Sequence, residues 1–521
     1  MPELSGNHHS AADISVDVLI VGAGFSGLCM GIKLLDAGMK DFLIIEKSED
    51  VGGTWYENRY PGCACDVPAH LYSFSFERNP GWTRMFAGQQ EIWQYLRDCT
   101  QRYGLTPHIR FKTRFREGAW DRAAGCWRIC ASDEAHDNLT IRARVLISGM
   151  GALHVPHYPE IRGIERFDGP SFHSATWRSD VDLTGKNVAV VGTGASATQF
   201  IPHIAPRAGK LSIFQRTPPW IVPRLDFGIP EKWRRLFRRV PLLTWVLRKT
   251  LFFSLEWRVL SFLGDRVVRE HMEKIARNHL ERSITDPKLR AALTPRYQIG
   301  CKRILLSDDF YPTLKRRNVE LVTERISEVR AHSIVTEDGV ERPVDVLIFG
   351  TGFHVTEQFI GMKLYGRGVE IHDAWRNGIS AYLGVTVSGF PNFFMLLGPN
   401  TGLGHNSVVL MIEAQVGYVI NCLKLMGERK IGAMEVRAES QTHFAADVRD
   451  RMARTVWQSG GCRSWYQDTH TGENTTLWPR SVIAYMREMR SVATSEYELR
   501  PAPFATPASP LADAQRVYGN R

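Results

Sequence analysis

The chain has 521 residues, more than one hydrophobic core usually serves, so two or more domains are expected. Its 44% hydrophobic and 23% charged residues are those of an ordinary soluble globular protein. The net charge of +10 suits a protein that handles anionic cofactors, and no zinc-finger or RNA-binding signature accompanies it, so no nucleic-acid partner is expected.

Residues 1–14 form a polar tail without the basic start and apolar core of a signal peptide. From Val16, "VDVLIVGAGFSGLCMGIKLLDAGMKDFLIIEKS" reads as strand, glycine turn, helix and strand, a βαβ unit that opens a first dinucleotide-binding part over 15–150. A second such unit starts at Lys186, within a domain assigned to 151–344. Between about 225 and 300 strand signals vanish and helix formers dominate. Residues 231–268 hold nine Lys/Arg against three acids, interleaved with Trp and Phe. A basic amphipathic helix can lie on a membrane surface, but this stretch is expected to pack its aromatic face on its own domain, with Pro241 breaking or kinking it. Strand-like runs return at "VELVTE", "VDVLIFGTGF" and "FPNFFMLLGP", and the first domain resumes over 345–493. The Pro/Ala/Ser-rich stretch 494–521 is expected to be disordered. Strands alternating with helices indicate an α/β fold: two Rossmann-like, doubly wound domains with parallel sheets and one helical insertion. No eighteen-residue uninterrupted apolar stretch occurs, so no transmembrane segment is expected.

Gly22, Gly24 and Gly27 follow a strand and open a helix, where glycines permit a tight turn, close approach of a pyrophosphate and close helix–strand packing. Glu46, ending the next strand, can take both hydroxyls of an unphosphorylated ribose, as in FAD or NAD. Gly192, Gly194 and Ala197 repeat the spacing, and Arg216 lies as far from Gly192 as Glu46 does from Gly22. The two residues therefore read as structural equivalents. A guanidinium there, with the Thr217 hydroxyl beside it, selects a 2′-phosphate and hence NADPH. Two dinucleotide sites in one chain imply electron transfer from NADPH to a bound flavin. Gly53, Thr54 and Trp55 in "GGTW", the glycines of "DVLIFGTGF" and the "LLGPNTGLGHNS" segment with Asn400 are further candidates to meet FAD.

Nine cysteines show no paired framework and no Cys-x-x-Cys, so no metal site and a reducing, cytoplasmic setting are expected. Reduced flavin could pass electrons to a disulfide, release peroxide, or insert oxygen into a substrate. Cys63 and Cys65, one residue between them, are too strained for the first of these.

"FDGPSFHSATWR" contains Phe167, Gly169, His173 and Trp177 in the pattern Phe-x-Gly-x-x-x-His-x-x-x-Trp. It resembles the fingerprint of Baeyer–Villiger monooxygenases, class B flavin-dependent enzymes, although Arg178 departs from the usual Pro or Asp. "GGTWYENRYPGCACD" and "GCKRILLSDDFYPTLKRRNVEL" also resemble family segments, and the likeness runs from about residue 15 to 490. The resemblance implies FAD, NADPH and O2, a C4a-peroxyflavin, and conversion of a lipophilic ketone to an ester or lactone. It further implies that Arg303 is the active-site cation, Asp66 its orienting acid, Lys302 an aid to the 2′-phosphate, and His173 a coupler of domain movement. Arginine suits the task because it holds its proton beside two successive oxyanions. Trp465 and Tyr466 are candidate pocket walls. Alternatives from the same residues are an N- or S-oxygenase, an uncoupled NADPH oxidase, or a flavin-bearing membrane-surface protein. The identity of the ketone and the oligomeric state are left open.

Overall fold

The computed structural model describes residues 13–501 apart from 356–358, 360 and 469. The ends of both expected tails, 1–12 and 502–521, lie outside the described residues.

The first domain begins with β1 (Asp13–Val21), α1 (Phe25–Asp36) and β2 (Phe42–Ile45). Val18, Leu19 and Ile20 are at most 1% exposed, the continuous apolar run of a strand covered on both faces. After a short helix α2 (Thr54–Glu57) and α3 (Gln89–Arg102), the chain adds β3 (Ile109–Arg110), β4 (Arg114–Asp121), β5 (Cys126–Ser132) and β6 (Leu139–Ser148). β1, β2, β3 and β6 run parallel, whereas β4, β5 and β6 form an antiparallel meander. This sheet is therefore mixed, not parallel throughout.

The second domain has a five-stranded, wholly parallel sheet. Its strands are β7 (Ser171–His173), β8 (Asn187–Val191), β9 (Lys210–Phe214), β10 (Val319–Val322) and β11 (Val346–Phe349), in the order β10-β9-β8-β11-β7. α4 (Ala195–Ile204) follows the glycine turn after β8. Placing β11 at the start of the resumed first domain is corrected here: its Val346–Phe349 pairs with β8 and β7. It is a fully buried apolar strand, and local sequence does not say which of two parallel sheets receives it.

Between β9 and β10 lie α5 (Glu231–Arg239), α6 (Pro241–Glu256), α7 (Val259–Phe262), α8 (Arg266–Ser283) and α9 (Pro287–Leu293). Pro241 is the first residue of α6, where its missing N–H costs nothing. The expected inward aromatic face is only half right. Phe252 is buried, but Trp233, Trp245, Phe253 and Trp257 are exposed.

The chain then returns to the first sheet through β12 (Lys363–Tyr365), which pairs with β4, and β13 (Phe393–Met395), which pairs with β6. α10 (Val408–Glu428), with 21 residues and mean hydropathy 1.5, is long and apolar enough to cross a membrane, yet most of it is buried, packed against α1. β14 (Ile431–Val436) pairs with β15 (Tyr497–Pro501). The expected disorder from Thr494 is thus corrected for 494–501. Tyr497 is buried and its hydroxyl lies 2.7 Å from that of Tyr418, which anchors the strand.

Candidate active site

In the first domain the turn after β1 is closed by Gly22 N–H donating to the Ile45 carbonyl at 2.8 Å. Gly22 has φ +101°, and a Cβ there would lie 2.8 Å from the Gly149 oxygen, so only glycine fits. Gly24 caps α1, whose free amides face outward, and Gly27 is buried where the helix meets the strand. Glu46 is 5% exposed and accepts from the amides of Ala23 (2.7 Å) and Ser48 (2.9 Å). These bonds fix the carboxylate and leave further lone pairs for ribose hydroxyls.

A cavity of about 600 Å³ extends from this turn, walled by Gly24, Glu46, Gly53, Thr54 and Trp55 and reaching Arg303 and Trp465. Its length of bare backbone at one end and its apolar walls fit FAD. Asn400 is not one of its lining residues. The Asn400 amide donates to the carbonyls of Asn474 (2.9 Å) and Leu477 (3.2 Å), bracing the loop that brings Pro399 and Gly402 to the wall.

The second turn copies the first. Gly192 has φ +102° and donates to the Phe214 carbonyl at 3.0 Å, and Gly194 caps α4. Ala197 packs beneath Gly350, where an added Cβ would come within 2.9 Å of the alanine methyl. The register corrects the equivalence of Glu46 and Arg216. Val21 pairs with Ile45 and Val191 with Phe214, so Glu46 corresponds to Gln215 and Arg216 is one residue further on. Gln215 is buried and donates to the Ala292 carbonyl, whereas Arg216 is exposed beyond the strand end with Thr217 half-buried beside it. Burial and the neighbouring Arg216 charge hold the Lys302 ammonium below its usual range, so the two cations share one locality. That pair fits the 2′-phosphate of NADPH.

Arg303 donates from Nε (2.8 Å) and Nη2 (2.5 Å) to the same oxygen, Oδ2, of Asp66. The Asp66 charge raises the guanidinium's proton affinity further, against the opposing effect of burial. The buried Tyr466 phenol faces Arg303, and burial pushes it up to about 12, so it stays neutral and its oxygen can accept from the guanidinium. Trp465, 40% exposed, stands at the cavity wall. Asp66 is held from the second domain: Gln199 on α4 accepts from the Tyr60 hydroxyl and donates to the Ala64 carbonyl, and Arg224 donates to the Cys65 carbonyl. Cys63 and Cys65 are free thiols; burial raises Cys63 to about 12, unsuited to redox exchange.

The absence of a cysteine framework is corrected as well. Cys301 and Cys462 form a disulfide across a sequence separation of 161, with Cα atoms 6.1 Å apart. Neighbouring Lys302 and Arg303 are thereby tied to the segment bearing Trp465 and Tyr466. Sequence spacing cannot reveal a pair this far apart.

The Phe167–Trp177 stretch sits at the edge of the second sheet. Phe167 packs under β11, and an added Cβ at Gly169 would come within 2.8 Å of the Phe167 ring. His173 ends β7 fully buried; its Nδ1 accepts from the Ala175 amide at 3.1 Å, and burial lowers its pKa to about 4, leaving it neutral. Trp177 packs on Phe172 and Phe200, each with ring centroids 5.3 Å away. None of these four residues lines Arg303's cavity; they build the second domain's edge. Sequence reasoning missed Glu256 of α6. It accepts from the Asn406 amide (2.9 Å) and the Ile483 amide (3.1 Å), pinning the loop before α10, and nothing local in the sequence marks it. Among the described residues no cluster of His, Cys, Asp and Glu is placed to hold a metal.

A family model described as flavin-binding monooxygenase-like matches residues 15–366. A Baeyer–Villiger monooxygenase of Pseudomonas aeruginosa is 47% identical over 489 residues, covering 94% of this chain and 92% of the relative. Among solved structures, a cyclohexanone monooxygenase from Rhodococcus sp. Phi1 bound to NADP+ is 27% identical with a TM-score of 0.85, covering 94% of this chain and all of that one. An OTEMO complex with FAD and NADP is also 27% identical, with a TM-score of 0.83 and the same coverage.

Proposed function

This chain belongs to the flavin-binding monooxygenase-like family, in its Baeyer–Villiger branch, as an FAD- and NADPH-using monooxygenase, and on that premise we propose that it inserts one oxygen from O2 beside the carbonyl of a lipophilic ketone, giving an ester or lactone. The observation that carries this reading is the Asp66–Arg303 pair at the end of the cavity that begins at Glu46.

Bound in this cavity, FAD would supply the redox chemistry, with NADPH as the reductant and O2 as the source of the inserted oxygen. Glu46 and the Gly22–Gly27 turn hold the adenosine and pyrophosphate end. Arg216, Thr217 and Lys302 take the 2′-phosphate of NADPH. Arg303 presents a cation that cannot give up its proton, so it stabilises negative charge on the attacking and carbonyl oxygens without quenching either. Asp66 accepts from Nε and Nη2 of the guanidinium through one oxygen, which fixes its plane. The neutral Tyr466 oxygen accepts from the same guanidinium and helps to hold it in place. Trp465 and Leu403 supply apolar wall against the ketone. Neutral His173 at the end of β7 couples the second domain's edge to the Gly350–Gly352 turn. The expectation of a reducing, cytoplasmic setting rests on the lack of paired cysteines, and the Cys301–Cys462 disulfide bears against it.

Incubation with NADPH, O2 and a panel of cyclic, linear and aryl ketones, with products identified by mass spectrometry, tests the proposal. A product one oxygen heavier than the ketone, lost in Arg303→Ala while NADPH still reduces the flavin, supports it. NADPH consumption that yields only peroxide with every ketone favours the oxidase reading instead.

A further inference from the structure

The helical insertion leaves one face without a partner. On α6, Leu242, Trp245, Val246 and Phe253, with Trp257 at its C-terminal cap, are each 45–64% exposed. Their spacing of three, four, seven and eight residues puts them in one stripe, with Lys249 in its middle. The opposite side of the helix carries Thr244, Arg248, Phe252, Leu255 and Glu256, all buried against the first domain. The larger apolar stripe of α6 is thus the exposed one, while the buried side is held largely through polar groups such as Arg248 and Glu256. Large exposed apolar patches mark interaction surfaces.

Charge identifies the partner. Preceding the stripe, α5 carries Lys232, Arg235, Arg238 and Arg239 on exposed positions. The three acids of 231–268 offer no counterweight. Glu231 is paired with Arg234, Arg235 and Arg238, Glu256 is buried, and Asp265 caps α8 by accepting from the Val268 amide. Lys232 and Arg239 carry no ion pair among the described residues. Lys249 lies 5.8 Å from the Trp245 ring centre, the tryptophan–lysine association of a water–lipid boundary. Indoles and aliphatic side chains amid unpaired cations match the boundary between headgroups and acyl chains of an anionic bilayer.

We propose that the exposed face of α5 and α6 docks the protein peripherally on anionic lipid surfaces, with the α6 stripe inserted among the headgroups and the α5 cations on the phosphates. No helix of the insertion spans the bilayer in this arrangement; α6 lies parallel to the surface.

The test uses full-length FAD-loaded protein and sedimentation with vesicles of phosphatidylcholine alone or mixed with phosphatidylglycerol. Binding to the mixed vesicles is expected, weakening as salt rises. Trp245→Ser/Phe253→Ser/Trp257→Ser is expected to weaken it at least about tenfold, since three inserted side chains are lost. Lys232→Gln/Arg239→Gln/Lys249→Gln is expected to weaken binding to anionic vesicles by about fivefold per charge. Both variants should keep FAD content and the rate of flavin reduction, which reports folding. No binding to mixed vesicles at low salt overturns the proposal, as does binding that neither variant alters. Self-association in sedimentation velocity that the tryptophan variant abolishes, without vesicle binding, would instead make this face a contact between copies of the chain and would also overturn it.

Discussion

Arg216→Ala tests the second nucleotide site with an internal control, because NADPH and NADH differ only in the phosphate this side chain is assigned to meet. Arg216 is exposed at the end of β9, so its contact with a 2′-phosphate is partly screened. A charge-assisted hydrogen bond contributes about 1.5–3 kcal/mol, and exposure argues for the lower end. At about 1.4 kcal/mol per factor of ten, KM for NADPH should rise about tenfold. Arg216 is assigned to the 2′-phosphate and not to the reacting oxygens, so kcat should hold, the pattern of lost uniform binding. NADH kinetics should change less than about twofold, and the NADPH-to-NADH ratio of kcat/KM should fall about tenfold. Lys302 remains, freed from the like charge that lowers its pKa, and retains part of the preference. Steady-state kinetics with both coenzymes over a salt series measures this. Equal losses with NADPH and NADH, or an unchanged NADPH KM, would refute the assignment.

Asp66→Asn keeps an acceptor but removes the carboxylate charge that faces Arg303, and should lower kcat for ketone oxidation about tenfold or more while flavin reduction stays measurable; stopped-flow absorbance separates the two steps. Burial holds both His70 and His173 at about 4 against the usual 6.5, so the unfolded chain takes up protons that the folded one refuses. Their contribution to stability is present above pH 6.5 and declines as pH falls toward 4. Tm measured between those limits should drop less steeply in His70→Gln, and an unchanged slope would count against this. Cys301→Ser/Cys462→Ser opens a link across 161 residues and should cost about 2–5 kcal/mol, lower Tm and raise KM for NADPH. Reductant should reproduce the Tm change in the natural protein and have no effect on the double variant; a natural protein insensitive to reductant would contradict the pairing.

Sequence legibility tracks how local each signal is. Both glycine turns could be read because strand, turn and helix occupy one short stretch whose backbone demands glycine at Gly22 and Gly192. Asp66 and Arg303 are 237 residues apart and could be paired only through family likeness. The offset between Glu46 and Arg216 was misread because counting from the glycine ignores that the stretch from turn to strand is one residue longer in the first unit, which only the strand register exposes. β11 carries a buried apolar run that suits either sheet, so its membership was invisible. α6 defeated the pattern differently: its apolar stripe faces outward and its buried side holds Arg248 and Glu256, the reverse of what amphipathicity predicts.

The first sheet is completed by a strand that the ribosome delivers late. β6 emerges early, but β13, which pairs with its Leu146–Ser148 end, follows some 250 residues later, after the whole of the second sheet. With N-terminal segments folding first during synthesis, the second domain can close once β11 is out, at Phe349, while the first still lacks α10. A nascent chain stalled between these points would hold the NADPH fold complete and the flavin fold open. FAD capture then belongs to the last stage of biosynthesis, and truncation before Phe393 leaves a nucleotide-binding domain without its redox partner.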